Sequence, residues 1–267
     1  MSHSVRDKVI FFTGAFGLIG QEVATYFMEQ GARVVWADLR PQNEVIRVLH
    51  ERFDEASFLV LPLDITSPES CQQAVEQATG YFGRIDVLVN CAAIDAKYDA
   101  DAPMNQSRFE NYPLEALRQS VEVNVIGTIV ITQEVCKQML RQGHGNIINV
   151  ASTYSLVAPN QSLYDFGQGT IHYKPVDYVA SKSFIPNFTR YLATFYASEN
   201  IRCNAIAPHG VLHKHGEAFL ENFARLSPMG RMCEREELRG PFEFLASDAS
   251  SYMTGSVLTV DGGWTAW

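Results

Sequence analysis

A repeated alternation between short apolar runs and longer amphipathic stretches restricts this chain to few folds. The runs are "KVIFFTG" (8–14), "ARVVWAD" (32–38), "SFLVLPLD" (57–64), "IDVLVNCA" (85–92), "GNIINVAS" (145–152), "IRCNAIAP" (201–208) and "SVLTVDG" (256–262). Their near-continuous Val, Ile and Leu content suits strands covered on both faces, as in a parallel sheet with helices above and below. Helical periodicity over 21–30, 44–53, 68–82, 114–141, 177–200 and 235–247 supplies those covering layers. The pattern predicts an α/β fold: a doubly wound parallel sheet with helices on both faces. With no repeat, low-complexity segment or Pro/Gly linker to divide the chain, one domain over 1–267 is expected.

Composition narrows the class. At 267 residues and 46% hydrophobic content the chain can bury a large core without disulfides or structural metal. A formal charge of −9 argues against a nucleic-acid partner, which calls for a basic face. Five cysteines, at 71, 91, 136, 203 and 233, are an odd number without a C-x-x-C pair. Several lie in apolar runs, which predicts buried, reduced thiols. The N-terminus lacks a signal-like pattern and no apolar run spans a bilayer, so a cytoplasmic protein with no membrane partner is expected.

Three segments, 95–111, 153–176 and roughly 209–228, are too long for ordinary connections. Each follows a strand. Ligands bind beyond the carboxyl ends of strands in open parallel sheets, so all three are placed to overhang one crevice.

The first strand runs into "TGAFGLIG", with Gly14, Gly17 and Gly20 ahead of a helix. Glycines there permit a tight turn and close approach of backbone to a pyrophosphate at the helix N-terminus. The backbone of Phe16, Leu18 and Ile19 belongs to the same turn. The second strand ends in Asp38, followed by Leu39; an acid there accepts bonds from ribose hydroxyls and repels a 2′-phosphate, favouring NAD over NADP. Arg40 is close enough to work against that preference. Asp64, followed by Ile65, is either a helix cap or a partner for the adenine amino group. Asn90, Cys91 and Ala92 end the fourth strand with small side chains against which a ribose fits.

Of eleven tyrosines, only Tyr178 has a lysine four residues on, Lys182, in "DYVASK". On a helix the two share a face. A phenol of ordinary pKa ~10 is a poor acid or base at neutral pH, and a neighbouring ammonium together with the positive nicotinamide ring lowers it. Tyr178 is then able to take a proton from an alcohol as hydride leaves. Ser152, ending the preceding strand, is placed to steady the substrate oxygen. Asn124 interrupts an apolar helix and must find partners in backbone or water, extending a proton path towards Lys182.

With these residues in place the chain resembles the short-chain dehydrogenase/reductase family almost end to end, from "TGAFGLIG" through Asp64, "NCAA", Asn124, Ser152 and "YVASK" to "IAPHG" and "VDGGW". The resemblance implies a Rossmann-type fold, catalytic Asn124, Ser152, Tyr178 and Lys182, a nicotinamide cofactor also contacting Tyr178 and Lys182, and a homotetramer or homodimer. It further implies that Pro208, Gly210 and Val211 pass the nicotinamide amide, and it requires no metal. The glycine spacing TGxxGxxG, "NCAA" for NNAG, "PHG" for PGG and the long gap from Ser152 to Tyr178 depart from the usual pattern.

That gap, with "TYSLVAPN" after the serine and the ending "DGGWTAW", resembles the flagellin-modification and nonulosonic-acid (legionaminate-type) sugar oxidoreductases of the family. A sugar, sugar phosphate or nucleotide sugar is the substrate this implies. Tyr164, Phe166 and Tyr173 are candidates to stack on a sugar ring, and Asn160 and Gln161 to bond its hydroxyls; a self-packed loop is the equal alternative. His209, His213, Lys214 and His215 are candidate cations for a phosphate or carboxylate. Trp264 and Trp267 are expected at a subunit interface. A 3-oxoacyl reductase, a polyol dehydrogenase and a non-catalytic NAD-binding sensor or scaffold are the competing readings.

Overall fold

All seven apolar runs become strands, because each carries side chains that only a doubly covered sheet can bury. The computed structural model describes residues 4–95, 107–166 and 172–267. The strands are β1 (Val9–Thr13), β2 (Arg33–Asp38), β3 (Phe58–Pro62), β4 (Val87–Asn90), β5 (Gly145–Val150), β6 (Ile201–Pro208) and β7 (Val257–Val260). They form one parallel sheet in the order β3-β2-β1-β4-β5-β6-β7. Every residue of β1 and β4 is buried.

Alternation along the strands sends side chains into two cores. Ile10, Phe12 and Trp36 pack with Val23 and Phe27 of α1 (Leu18–Glu29) on one face. Phe11, Val35 and Leu88 pack on the other, against α3 (Pro68–Phe82) and α5 (Thr128–Gln142). Helices α2 (Asn43–Arg52), α6 (Val176–Tyr196) and α8 (Arg239–Ala246) complete the two layers. The chain fills the sheet outward from β1 to β3, then crosses to β4 on the other side of β1. That reversal opens a crevice at the carboxyl ends of β1 and β4.

Two elements differ from the sequence expectation. The helix expected over 114–141 is α4 (Leu114–Val121), a π-helical turn (Glu122–Gly127) and α5. Gly127 lies so close to Ile65 that a Cβ there would sit 2.7 Å from the Ile65 side chain. The extra residue in this turn carries Asn124, and π turns of this kind collect at functional sites. The irregular segment expected over 209–228 contains α7 (Glu217–Leu226). Phe219, Leu220, Phe223 and Leu226 recur at helical spacing and pack on Leu163, Met232 and Trp264.

Trp264 therefore is not a subunit anchor: it is 7% exposed inside its own chain, stacked on Phe223 at 5.2 Å, whereas Trp267 is exposed. Trp264→Ala is expected to lower unfolding free energy by about 3 kcal/mol. Denaturant melts at two protein concentrations check this; a loss that disappears on dilution would place the indole at an interface instead.

Candidate active site

Four polar positions predicted from the sequence converge at the carboxyl edge of β4 and β5. Ser152 lies two residues past β5 and begins a short 3₁₀ turn (Thr153–Ser155), where its Oγ accepts the Tyr154 backbone N–H at 3.2 Å. The same hydroxyl lies beside the Tyr178 phenol and favours its ionised form. Lys182 follows one turn later on α6 and is buried, its Nζ donating to the Val150 carbonyl at 2.8 Å. The first turn of α6 is tied down by Asp177, whose Oδ2 accepts the Ser120 hydroxyl of α4 at 2.5 Å.

Asn124 clasps the backbone of Ile94, accepting from its N–H at 2.8 Å and donating to its carbonyl at 2.9 Å. Its Nδ2 also donates to Ser181 Oγ at 2.9 Å. The expectation of backbone partners is met, and these bonds run to the segment after β4 and to α6. Asn124 thus joins three elements around the tyrosine.

Several groups act on the phenol in opposite senses. Burial holds Tyr178 above its ordinary range, the Asp95 carboxylate pushes it the same way, and the Ser152 hydroxyl opposes both. Burial likewise lowers the Lys182 ammonium, with Cys91 and Asp95 opposing. Desolvation of the phenolate thus works against ionisation of Tyr178 in the protein alone.

The neighbouring groove fits a dinucleotide on its own geometry. Gly14 has φ +68°, and a Cβ there would lie 2.7 Å from the Ala92 backbone. A Cβ on Gly20 would collide with the Gly14 carbonyl. Helix α1 starts at Leu18 with Gly17 as its cap, no capping side chain and no acid in its first turn, leaving an electropositive terminus for an anion. Phe16 buries its ring against Trp36, so its backbone faces the turn; its N–H donates to Asp38 Oδ2 at 3.1 Å. Asp38 Oδ1 accepts from Arg40 N–H at 3.1 Å, beside exposed Leu39.

Asp64 is not the cap of α3, a duty that falls to Ser67, whose Oγ accepts the Ser70 N–H at 3.2 Å. Asp64 instead accepts from Thr66 N–H and Oγ1, beside buried Ile65. Asn90 is buried and spends its amide N–H bonds on Thr132 and Asn149, bracing β4 to β5 beneath Cys91 and Ala92. Thr13, which the sequence reading passed over, accepts the backbone N–H groups of both Cys91 and Ala92 and so fixes that wall. Pro208 ends β6, Gly210 turns with φ +51° beneath the Phe223 ring, and Val211 pairs with Cys233.

The candidate anion and sugar ligands are placed differently. His209 is buried, its Nδ1 bonded to Thr153 Oγ1 and its ring stacked on Phe223. Burial pushes it down to about 4, so it is a neutral imidazole rather than a cation. His215 stacks on Phe219, and burial lowers it too. Asn160 and Gln161 bond within their own segment, to Ser162 and to the Lys174 N–H respectively. Tyr164 shares a hydroxyl contact with Tyr154 and packs on Phe219, so this part of the long gap is the self-packed alternative. Residues 167–171 of that gap and 96–106 of the first long segment lie outside the described residues. Among the described residues no His, Cys, Asp or Glu trio could hold a metal ion.

A tyrosine–serine–lysine cluster beside a glycine-lined groove, on this strand order, is the arrangement of a dehydrogenase. The family model described as enoyl-(acyl carrier protein) reductase matches residues 14–265. The chain belongs to the short-chain dehydrogenase/reductase family, oxidoreductases that act on alcohol groups with a nicotinamide dinucleotide. It is 32% identical to an NAD-dependent glycerol dehydrogenase of Listeria innocua, over 98% of this chain and 95% of that protein. It is 29% identical to post-translational flagellin modification protein A of Campylobacter coli, over 97% and 99% respectively. A short-chain dehydrogenase of Leptospira borgpetersenii solved with NAD+ superposes with a TM-score of 0.83 at 29% identity, covering 97% of this chain and 93% of that one.

The lowered His209 carries a pH consequence. The unfolded chain binds a proton near pH 6.5 that the folded protein resists until about 4, so stability is full above 6.5 and falls as pH drops towards 4. The loss from this group is on the order of 3 kcal/mol. Comparing denaturant midpoints of wild type and His209→Gln at pH 7 and pH 4.5 should show a smaller acid loss in the variant.

Proposed function

We propose that this protein is an NAD-dependent dehydrogenase that interconverts a secondary alcohol and a ketone on a polyol or sugar-type substrate. The observation that carries the reading is the Tyr178 phenol beside the Ser152 hydroxyl with Lys182 buried one turn away, next to the Gly14 cradle. Bound in that cradle, the dinucleotide supplies the hydride acceptor. Tyr178 takes the hydroxyl proton of the substrate and returns it in the reverse direction. Ser152 orients the substrate oxygen, and the Lys182 ammonium stabilises the phenolate as it forms. Asn124 holds the Ile94 backbone and Ser181 so that these groups keep their spacing.

Asp38 supports NAD, since its carboxylate is fixed by two backbone N–H groups at the end of β2 where a 2′-phosphate would be repelled. The glycerol dehydrogenase relative supports a polyhydroxylated substrate. The relative named for flagellin modification supports a place in that process, for which legionaminate-type sugar biosynthesis is the specific case we propose. The exposed rings of Tyr191 and Phe195 on α6 support self-association as a homotetramer or homodimer. Five unpaired cysteines support a cytoplasmic location, and no helix of the described residues is long and apolar enough to cross a membrane.

Absorbance at 340 nm with NAD over polyols, sugars, sugar phosphates, nucleotide sugars and hydroxyacyl compounds tests the reading. NADH should form on a polyhydroxylated compound, and Tyr178→Phe should lower kcat roughly a hundredfold or more while NADH still binds. Turnover confined to hydroxyacyl compounds would move the protein to the acyl reductases. Asp38→Ala should change the NAD-to-NADP ratio of kcat/KM by roughly tenfold in favour of NADP, because it removes hydrogen-bond acceptors and a like charge. An unchanged ratio would discount the Asp38 argument.

A further inference from the structure

Lys174 belongs to the long gap between Ser152 and Tyr178, and no motif singles it out. Its Nζ lies 4.0 Å from the centre of the Tyr178 ring. Both carboxylate oxygens of Asp95 accept from that ammonium, at 2.6 and 2.8 Å. The Lys174 side chain is only 11% exposed, against 49% for Asp95, and its backbone N–H is held by Gln161 at 2.9 Å. A surface lysine pair contributes little, but this ammonium is withdrawn from water and pressed against the reacting residue.

Charge at this position acts on the proton of Tyr178. A cation over an aromatic face is drawn to its π electrons, and the phenolate ring is richer in them than the phenol. Lys174 therefore favours the ionised form and Asp95 opposes it. The other groups around Tyr178 are Ser152, Tyr154 and Tyr164 after β5 and Cys91 after β4, with Lys182 one turn on along α6. Positive charge thus comes from two lysines: Lys182 on the helix that carries the tyrosine, and Lys174 from the segment that distinguishes this chain from the usual family pattern.

We propose that Lys174, held by Asp95 against the ring of Tyr178, is a positioning residue that together with Asp95 governs how readily the Tyr178 phenol releases its proton. The inference rests on the dehydrogenase reading, in which that proton is the one exchanged with substrate. A strap that merely ties the segment after β4 to the long gap would be weakened alike by removing either partner. A charge device responds in opposite senses.

Fluorotyrosine incorporated in place of Tyr178, whose more acidic phenol titrates within the stable pH range, reports the difference by fluorine NMR in the full-length protein. Lys174→Met should move the titration to higher pH and Asp95→Asn to lower pH, each by on the order of one unit, with Lys174→Arg close to the parent. Shifts in the same sense, or none, would overturn the proposal. Asp95→Asn alters a half-exposed side chain and stands alone if Lys174→Met does not fold. The titration needs no substrate: opposite shifts without turnover on the polyol and sugar panel would retain the charge pair and remove the polyol and sugar-type reading. Turnover with unmoved titrations would do the reverse.

Discussion

The close approach of β1 and β4 at their carboxyl ends is the constraint on which the rest depends. Gly14 leaves β1 with a positive φ and passes so near Ala92 that no side chain fits between them. Thr13 locks the crossing by accepting the Cys91 and Ala92 N–H groups. This contact aims α1 at the groove, sets the wall formed by Cys91 and Ala92, and delivers Ile94 to Asn124. The glycine cradle and the proposed catalytic cluster thus share one backbone junction.

Around that junction the site is assembled through backbone anchors more than through side-chain pairs. Lys182 is held by the Val150 carbonyl, Asn124 by both polar groups of Ile94, and Asp38 by the Phe16 and Arg40 N–H groups. Such bonds tie each functional group to a strand end whose position the buried sheet already determines. Placement of this kind suits catalysis that depends on orientation, since small displacements of reacting groups are costly.

The long gap after Ser152 changes the surroundings of the Ser152, Tyr178 and Lys182 arrangement without changing its members. Its first half folds back on α7 through Leu163 and Tyr164, and His209 joins that cluster as a neutral ring bonded to Thr153. The "PHG" departure is explained by this packing: an imidazole fills space among Phe223, Trp264 and Tyr154. The last part of the gap returns to the site with Lys174.

Local signals in the sequence determined the seven strands, the N-terminal boundary of α3 at Pro68, the glycine turn and the Tyr178–Lys182 spacing. Each is a short-range pattern, set by side-chain periodicity or by a backbone conformation that few residues adopt. Only the tertiary structure decided the roles that depend on partners distant in the chain. Trp264 became core because α7 brings Phe223 against it, and His209 lost its charge because that same cluster excludes water. Asn124 found its backbone partner in Ile94, and Asp95 met Lys174 across seventy-nine positions. Burial and long-range pairing are properties of the packed whole, so no pattern of neighbouring residues could carry them.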